Sequence, residues 1–499
     1  MNRIFLKNCL ALIGQHAVAS NGPVDIAIEG NRIAAVTPAG QRSADGEVID
    51  ATGRLATAGL INSHFHSGEN YLKGRYENLP VEMFMMFVRP PKPIPLTPRQ
   101  IYLRTMIGAI EGLRSGTTTL IDDLNQDLPD SHLSAVYKAY EDIGIRALVS
   151  SSMVDRHFFE SIPYVDEEFE TDVLEVLRSV PIASGPDLLR RCRELALARH
   201  PRSHRVGYIV APSAPQRCSE EFLRSACAIA QELELPVITH VQESRLQVVH
   251  GRQLYGSTMV EYLYRIGFLG PNTSLIHCVW LNPREIDLLA KTGTTVQHNP
   301  WSNLKLGSGL APMRALLDAG VNVSLGCDGC ACSDSLNMLT VVSSAATLGK
   351  LRENAPSRWI TAKEAWYAGT MGGAIAIGRG NDLGAIEAGR IADLVLYRLS
   401  SIPFVPLNNP LQQLVYAERG VSIDMVLVDG QIVFRDGKLT CVDEPAILAE
   451  IAEEHAKLLP FITEAEKMSA RMLHAAERIH RRCLSEEIAP DTYPARFPR

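Results

Sequence analysis

Five short stretches of the chain place a metal-binding side chain just past an apolar run. They are His64-Phe65-His66, His240 with Glu243 three residues on, His277, His298 and Asp328. Gly59-Leu60-Ile61 precedes His64, Pro236-Val237-Ile238 precedes His240, and Ser274-Leu275-Ile276 precedes His277. Thr295-Val296 precedes His298, and Val323-Ser324-Leu325-Gly326 precedes Asp328. Imidazole nitrogen and carboxylate oxygen suit zinc and similar ions, and a catalytic site leaves one position open for water. A lone buried histidine is more often a satisfied core residue. Ligands at successive strand ends converge only if those strands share one sheet end, where parallel α/β barrels keep their active sites. Five strand ends in order, one of them His-x-His, therefore predict a metal site.

The run Gly59-Leu60-Ile61-Asn62-Ser63-His64-Phe65-His66 resembles the amidohydrolase superfamily. So do the HxxE of His240 to Glu243 and the run from His298-Asn299-Pro300-Trp301-Ser302-Asn303 to Gly309. More narrowly they are similar to its triazine hydrolase and S-adenosylhomocysteine/guanine deaminase branch. Ala311-Pro312 and Leu325-Gly326-Cys327-Asp328-Gly329 continue the pattern, and the likeness extends over roughly residues 1 to 440. It implies one divalent metal per subunit, zinc with Fe2+ as the alternative, held by His64, His66, His240 and Asp328. Asp328 would also accept a proton from the attacking water. Two roles stay open for His277, ligation of the metal or contact with the water.

Glu243 separates two chemistries. Deaminating an aromatic amidine requires protonation of a ring nitrogen and then of the leaving amine, and one carboxylic acid can do both. Halide leaves without an acid. The expected activity is therefore hydrolysis of a C–N bond other than a peptide bond, removing an amino group from a nitrogen heterocycle through a zinc-activated water. The alternative is another leaving group (halide, alkylamine or thiol) or a cyclic amide on a similar ring. Glu243, His277 and Asp328 are the candidate catalytic residues. Arg156, Gln216, Arg217 and His298 are the candidate substrate contacts, and the arginines suit an acidic or carbonyl-rich group. Ser213 stands where nucleoside-deaminating relatives carry His, and Pro93 where they carry Glu, which favours a free heterocycle. The fourth strand runs Ile209-Val210-Ala211 into Pro212 without the lysine of carbamate-bridged binuclear relatives. A non-catalytic barrel would have lost ligands, and none is missing.

These residues need a scaffold, and the alternation of elements supplies one. Gly116–Asp122, Ile145–Ser150 and Val206–Ala211 read as barrel strands two to four. With the five strands ending at the metal-type residues they make eight, the number of a closed (β/α)8 TIM barrel. Thr97-Pro98 and Asn282-Pro283-Arg284-Glu285 are helix starts. Val24–Ile28 and Arg32–Val36 alternate around Glu29-Gly30-Asn31, and Met425–Val428 pairs with Gln431–Phe434 across Asp429-Gly430. The α/β fold expected is a barrel over 58–379, a small β-sandwich from 1–57 and 380–442, and a helical extension over 443–499. Pro460 is expected to break that extension, with Thr463 to Glu466 as a new capping box. The extension would pack on the barrel or on a second subunit of a homodimer or larger homo-oligomer.

Composition sets the remaining bounds. Hydrophobic residues are 46% and charged residues 21% of the 499, ordinary for a globular chain. A net charge of −7 argues against nucleic acid as partner. The one basic run, Arg478 to Arg482, reads as a helix C-terminus. No apolar stretch is long enough for a bilayer, and the first residues lack signal-peptide layout, so a cytoplasmic location is expected, with no membrane partner. Ten scattered cysteines read as reduced thiols. Cys327, Cys330 and Cys332 cluster beside Asp328, where a cation would make them reactive.

Overall fold

The computed structural model describes residues 3–42, 46–124 and 128–493. Eight parallel strands form two four-stranded sheets. One contains Leu60–Phe65, Thr117–Asp122, Arg146–Val149 and Val206–Tyr208. The other contains Val237–Val241, Thr273–His277, Thr295–His298 and Val323–Leu325. Past its short fourth strand the chain bridges Val210 to Val237, which joins the sheets on one side. On the other side Ser63 Oγ donates to Leu325 O at 2.8 Å, and Asp328 N–H donates to His64 O at 3.0 Å. The barrel is thereby closed. Ile61, Ile121, Leu148, Ile209, Ile238 and Ile276 pack in its interior. Inward-pointing branched residues fill such a barrel and make it a core rather than a pore.

The helix starts legible in the sequence have their caps. Thr97 and Gln100 make a reciprocal capping box on Pro98–Arg114, and Asn282 and Glu285 do the same on Pro283–Thr292. Both helices carry proline in the first turn, where no backbone donor is lost.

Strands from both chain ends meet in one ten-stranded sheet. Arg54–Ala58 pairs in parallel with Arg3–Ile13 and antiparallel with Leu394–Arg398. Ile4, Leu6, Ile26, Ile28, Leu394, Leu396 and Leu427 share its core. Arg146, on the third barrel strand and almost fully buried, reaches Asp393 at 3.0 Å and Asp429 at 2.9 Å, tying barrel to sheet.

The helical extension differs from expectation. Glu444–Ser485 is a single 42-residue helix with Pro460 inside it. Pro460 faces solvent, while Leu458 and Ile462 on either side are buried against Tyr71, Leu72 and Phe84. This packing outweighs the local loss of one hydrogen bond. Thr463 and Glu466 cap nothing; Glu466 pairs with Arg75 and accepts from Tyr76. Arg478 and Arg482 lie in the closing turns and pair with Glu168 and Glu167. Among the described residues no helix is long and apolar enough to cross a membrane.

Candidate active site

His64 ends the first barrel strand and is wholly buried. Neither of its ring nitrogens has a hydrogen-bond partner. His66 follows, with Nδ1–H donating to Asp123 O at 2.7 Å. His240 leaves the fifth strand with Nδ1–H donating to Ser213 O, also at 2.7 Å. Both imidazoles are thus held in the tautomer whose Nε2 lone pair is free. Their rings lie 4.9 Å (His240) and 4.6 Å (His66) from His64, centroid to centroid.

Asp328 completes the ring. Its Oδ1 is 3.4 Å from the Nε2 atoms of both His64 and His66. Ser302 Oγ donates to Oδ2 at 2.6 Å and the Gly329 N–H to Oδ1 at 2.9 Å, which fixes the carboxylate. His277 Nε2 is 3.8 Å from Asp328 Oδ2 and 3.6 Å from Glu243 Oε2, and Asn303 Oδ1 accepts from its Nδ1 at 2.9 Å. Both His277 and Asp328 take positive φ, 71° and 63°, costly turns out of the strand that these contacts hold in place.

Electrostatics favour a cation here. Burial, then the charges of His64 and His66, hold His240 well below the usual imidazole range; burial lowers His64 to about 4. Neutral imidazoles are the ligand form. Burial alone would raise the Asp328 carboxyl, but contact with His64 and the charges of His64, His277 and His66 hold it well down. Burial, then the charges of Asp328 and Glu82, push Glu243 far up. An orphaned buried imidazole, lone pairs converging from two more and an ionised carboxylate fit a divalent ion.

His66, His240 and Asp328 of the ring open onto a cavity. Gln216, Arg217, Glu243, His277 and Asp328 line it. Arg217 donates from Nη1 to Ser213 Oγ at 3.2 Å and stacks 4.8 Å above the Phe158 ring. Gln216 Oε1 is buried without a partner. The other two expected contacts are elsewhere. Arg156 does not line the cavity. His298 is buried, lowered to about 3 by burial, and does not line the cavity. Cys332 does line it, but burial raises the Cys330 thiol to about 12 and Cys332 well above its usual value.

Three polar residues were not singled out from the sequence. Asp123 follows the second strand with Oδ2 unpartnered, 4.0 Å from His240 Nδ1. It obeys the same grammar as the other strand-end ligands, since Leu120-Ile121-Asp122-Asp123 ends an apolar run in carboxylates. Glu69 and Arg89 belong to loop-borne elements whose sequences carry no such signal; both line the cavity.

A model described as the amidohydrolase family matches residues 55–433. The chain is 34% identical to a 5'-deoxyadenosine deaminase of Methanothermobacter thermautotrophicus, over 86% of this chain and 93% of that protein. It is 33% identical, over the same shares, to a 5-methylthioadenosine/S-adenosylhomocysteine deaminase of Thermococcus kodakarensis. Among solved structures, an adenosine deaminase from Xanthomonas campestris with bound zinc superposes with a TM-score of 0.81 at 27% identity, covering 92% of this chain and 98% of that one. Atrazine chlorohydrolase from Arthrobacter aurescens, complexed with zinc, gives 0.79 at 25% identity, covering 91% and 100%. With this match, these relatives and a metal-type ring at the strand ends of a closed barrel, the chain belongs to the amidohydrolase family.

Proposed function

We propose that this protein is a metal-dependent aminohydrolase that releases ammonia from an amino-substituted nitrogen heterocycle. His64, His66, His240 and Asp328 would hold one zinc ion. When bound, such an ion lowers the pKa of a coordinated water toward ~7. The observation that carries the reading is Glu243: a buried carboxyl raised far above its usual range, 3.6 Å from His277 and beside the ligand ring. A carboxyl kept protonated at neutral pH can protonate a ring nitrogen and later hand a proton to the leaving amine. Asp328, held ionised, accepts the proton of the attacking water. His277, steadied by Asn303, would orient that water.

The related deaminases are named for adenosine-type nucleosides. Here Ser213 lines the cavity with a hydroxyl that accepts from Arg217. This and Gln216 support a compact ring with a carbonyl or anionic edge as substrate.

Ammonia release should be measured across aminopurines, pterins, pyrimidines and triazines, with adenosine-type nucleosides as controls. Zinc-loaded protein should turn over a free heterocycle best. His240→Ala should lose metal and activity together, read by elemental analysis of the purified variant. Full activity after exhaustive chelation, or two ions per subunit, would overturn the single-metal reading.

A further inference from the structure

A second guanidinium shares the wall with Arg217. Arg89 caps the helix Val81–Val88, and both arginines line the cavity that opens above His66 and Glu243. Phe158 lies beneath Arg217 and joins Arg89 and Met86 in an adjoining recess, so the three side chains form one continuous surface. The two like charges act on each other across it. Such a juxtaposition is unfavourable in a partly dry cavity unless an anion lies nearby. The carboxylates facing the pair are Glu69 and Asp123 toward Arg89, and Glu243 and Asp123 toward Arg217. Glu69 and Asp123 offset Arg89. Arg217 has no carboxylate among the described residues close enough to pair; its hydrogen bond goes to the neutral Ser213 hydroxyl. Gln216, whose Oε1 is buried and unpartnered, lines the same cavity.

Building on the aminohydrolase reading, we propose that Arg89 and Arg217 form an oxyanion subsite, so that the substrate is a heterocycle carrying a carboxylate or phosphate substituent remote from its leaving amino group. Two guanidiniums lining one cavity offer the fork-shaped donors that recognise such a group. The aromatic face of Phe158 supports the Arg217 guanidinium.

The test uses matched heterocycles that differ only in one substituent: neutral, ring carboxylate or phosphate monoester. Steady-state ammonia release and calorimetric binding are measured on zinc-loaded wild type, Arg89→Met and Arg217→Met, with circular dichroism confirming each fold. Wild type should favour a charged member over the neutral one by roughly tenfold or more, the factor one charge-assisted hydrogen bond carries. Each variant should shrink that ratio toward one. The carboxylate and phosphate arms identify which oxyanion fits. If nothing is deaminated but the charged member binds more tightly and both variants abolish the difference, the subsite stands and the aminohydrolase reading falls. Equal or better binding of the neutral member, no binding by any member, or variants that weaken all members alike would overturn the subsite.

Discussion

Glu243 is where one functional group decides the reaction class. Its carboxyl is almost fully buried and lies 3.6 Å from His277. Glu243→Gln keeps the size and a hydrogen-bonding oxygen but cannot give up a proton. The variant should retain its metal and lose about 10²–10⁴ in kcat on the best amino substrate, checked by single-turnover kinetics beside elemental analysis. A loss below about tenfold would mean that the leaving group needs no acid, and would turn attention to halide or thiol leaving groups. At this scale the sequence is most informative where chemistry and strand grammar coincide. His64, His66, His240, His277 and Asp328 each end an apolar run, so their convergence is legible. His298 obeys the same rule yet is buried and off the cavity lining, because a strand end fixes position in the barrel and not the direction of the side chain. Arg156 also follows a strand, but the loop leaves it out of the cavity lining.

At the scale of elements, the ring is built by close backbone approach as much as by ligand identity. A Cβ on Gly326 would lie 2.5 Å from Asn299 Oδ1 and 2.8 Å from both Cβ and O of His64. The eighth strand can therefore deliver Asp328 to His64 only if residue 326 has no side chain. Gly329 meets the same limit against the Glu69 carboxylate. Gly326→Ala should displace the Asp328 turn. The expected result is a fall of tenfold or more in zinc affinity, as seen when groups supporting a metal site are disturbed, measured by competition with a chromogenic chelator. Retention of wild-type affinity would mean that the strand can shift without moving Asp328. Such contacts are invisible in a single sequence, where Gly326 reads only as the end of the apolar run before Asp328. Helix starts are easier, because a capping box is local: Thr97 with Gln100 and Asn282 with Glu285 specify their own geometry. Pro460 misleads for the converse reason. Its local preference for a break is outweighed by burial of Leu458 and Ile462, which sequence alone does not reveal.

Across the whole molecule, the long C-terminal helix links global packing to the cavity. Its last half buries Met472, Ala475, Ala476 and Ile479 against Met83 and Met86. Those two methionines lie on the inner helix Val81–Val88, whose other face gives Val81, Glu82 and Phe84 to the cavity wall. Ser469 Oγ donates to Met86 O at 2.6 Å, and Glu82 accepts from Ser244 Oγ and lies 3.9 Å from His480. The cavity wall is therefore a thin layer clamped from outside, while the ligand ring rests on the ends of barrel strands. Ile479 is fully buried in that clamp. Truncation of such a residue costs about 2–5 kcal/mol, and here the loss should fall on the clamp first. Ile479→Ala should raise hydrogen exchange across residues 81–88 and raise KM several-fold, with zinc content and exchange of the barrel strands unchanged. The split between KM and metal retention separates a loosened wall from general unfolding. If exchange rose equally in the strands ending at His64 and His240, the helix would be supporting the barrel as a whole rather than the substrate side of the site.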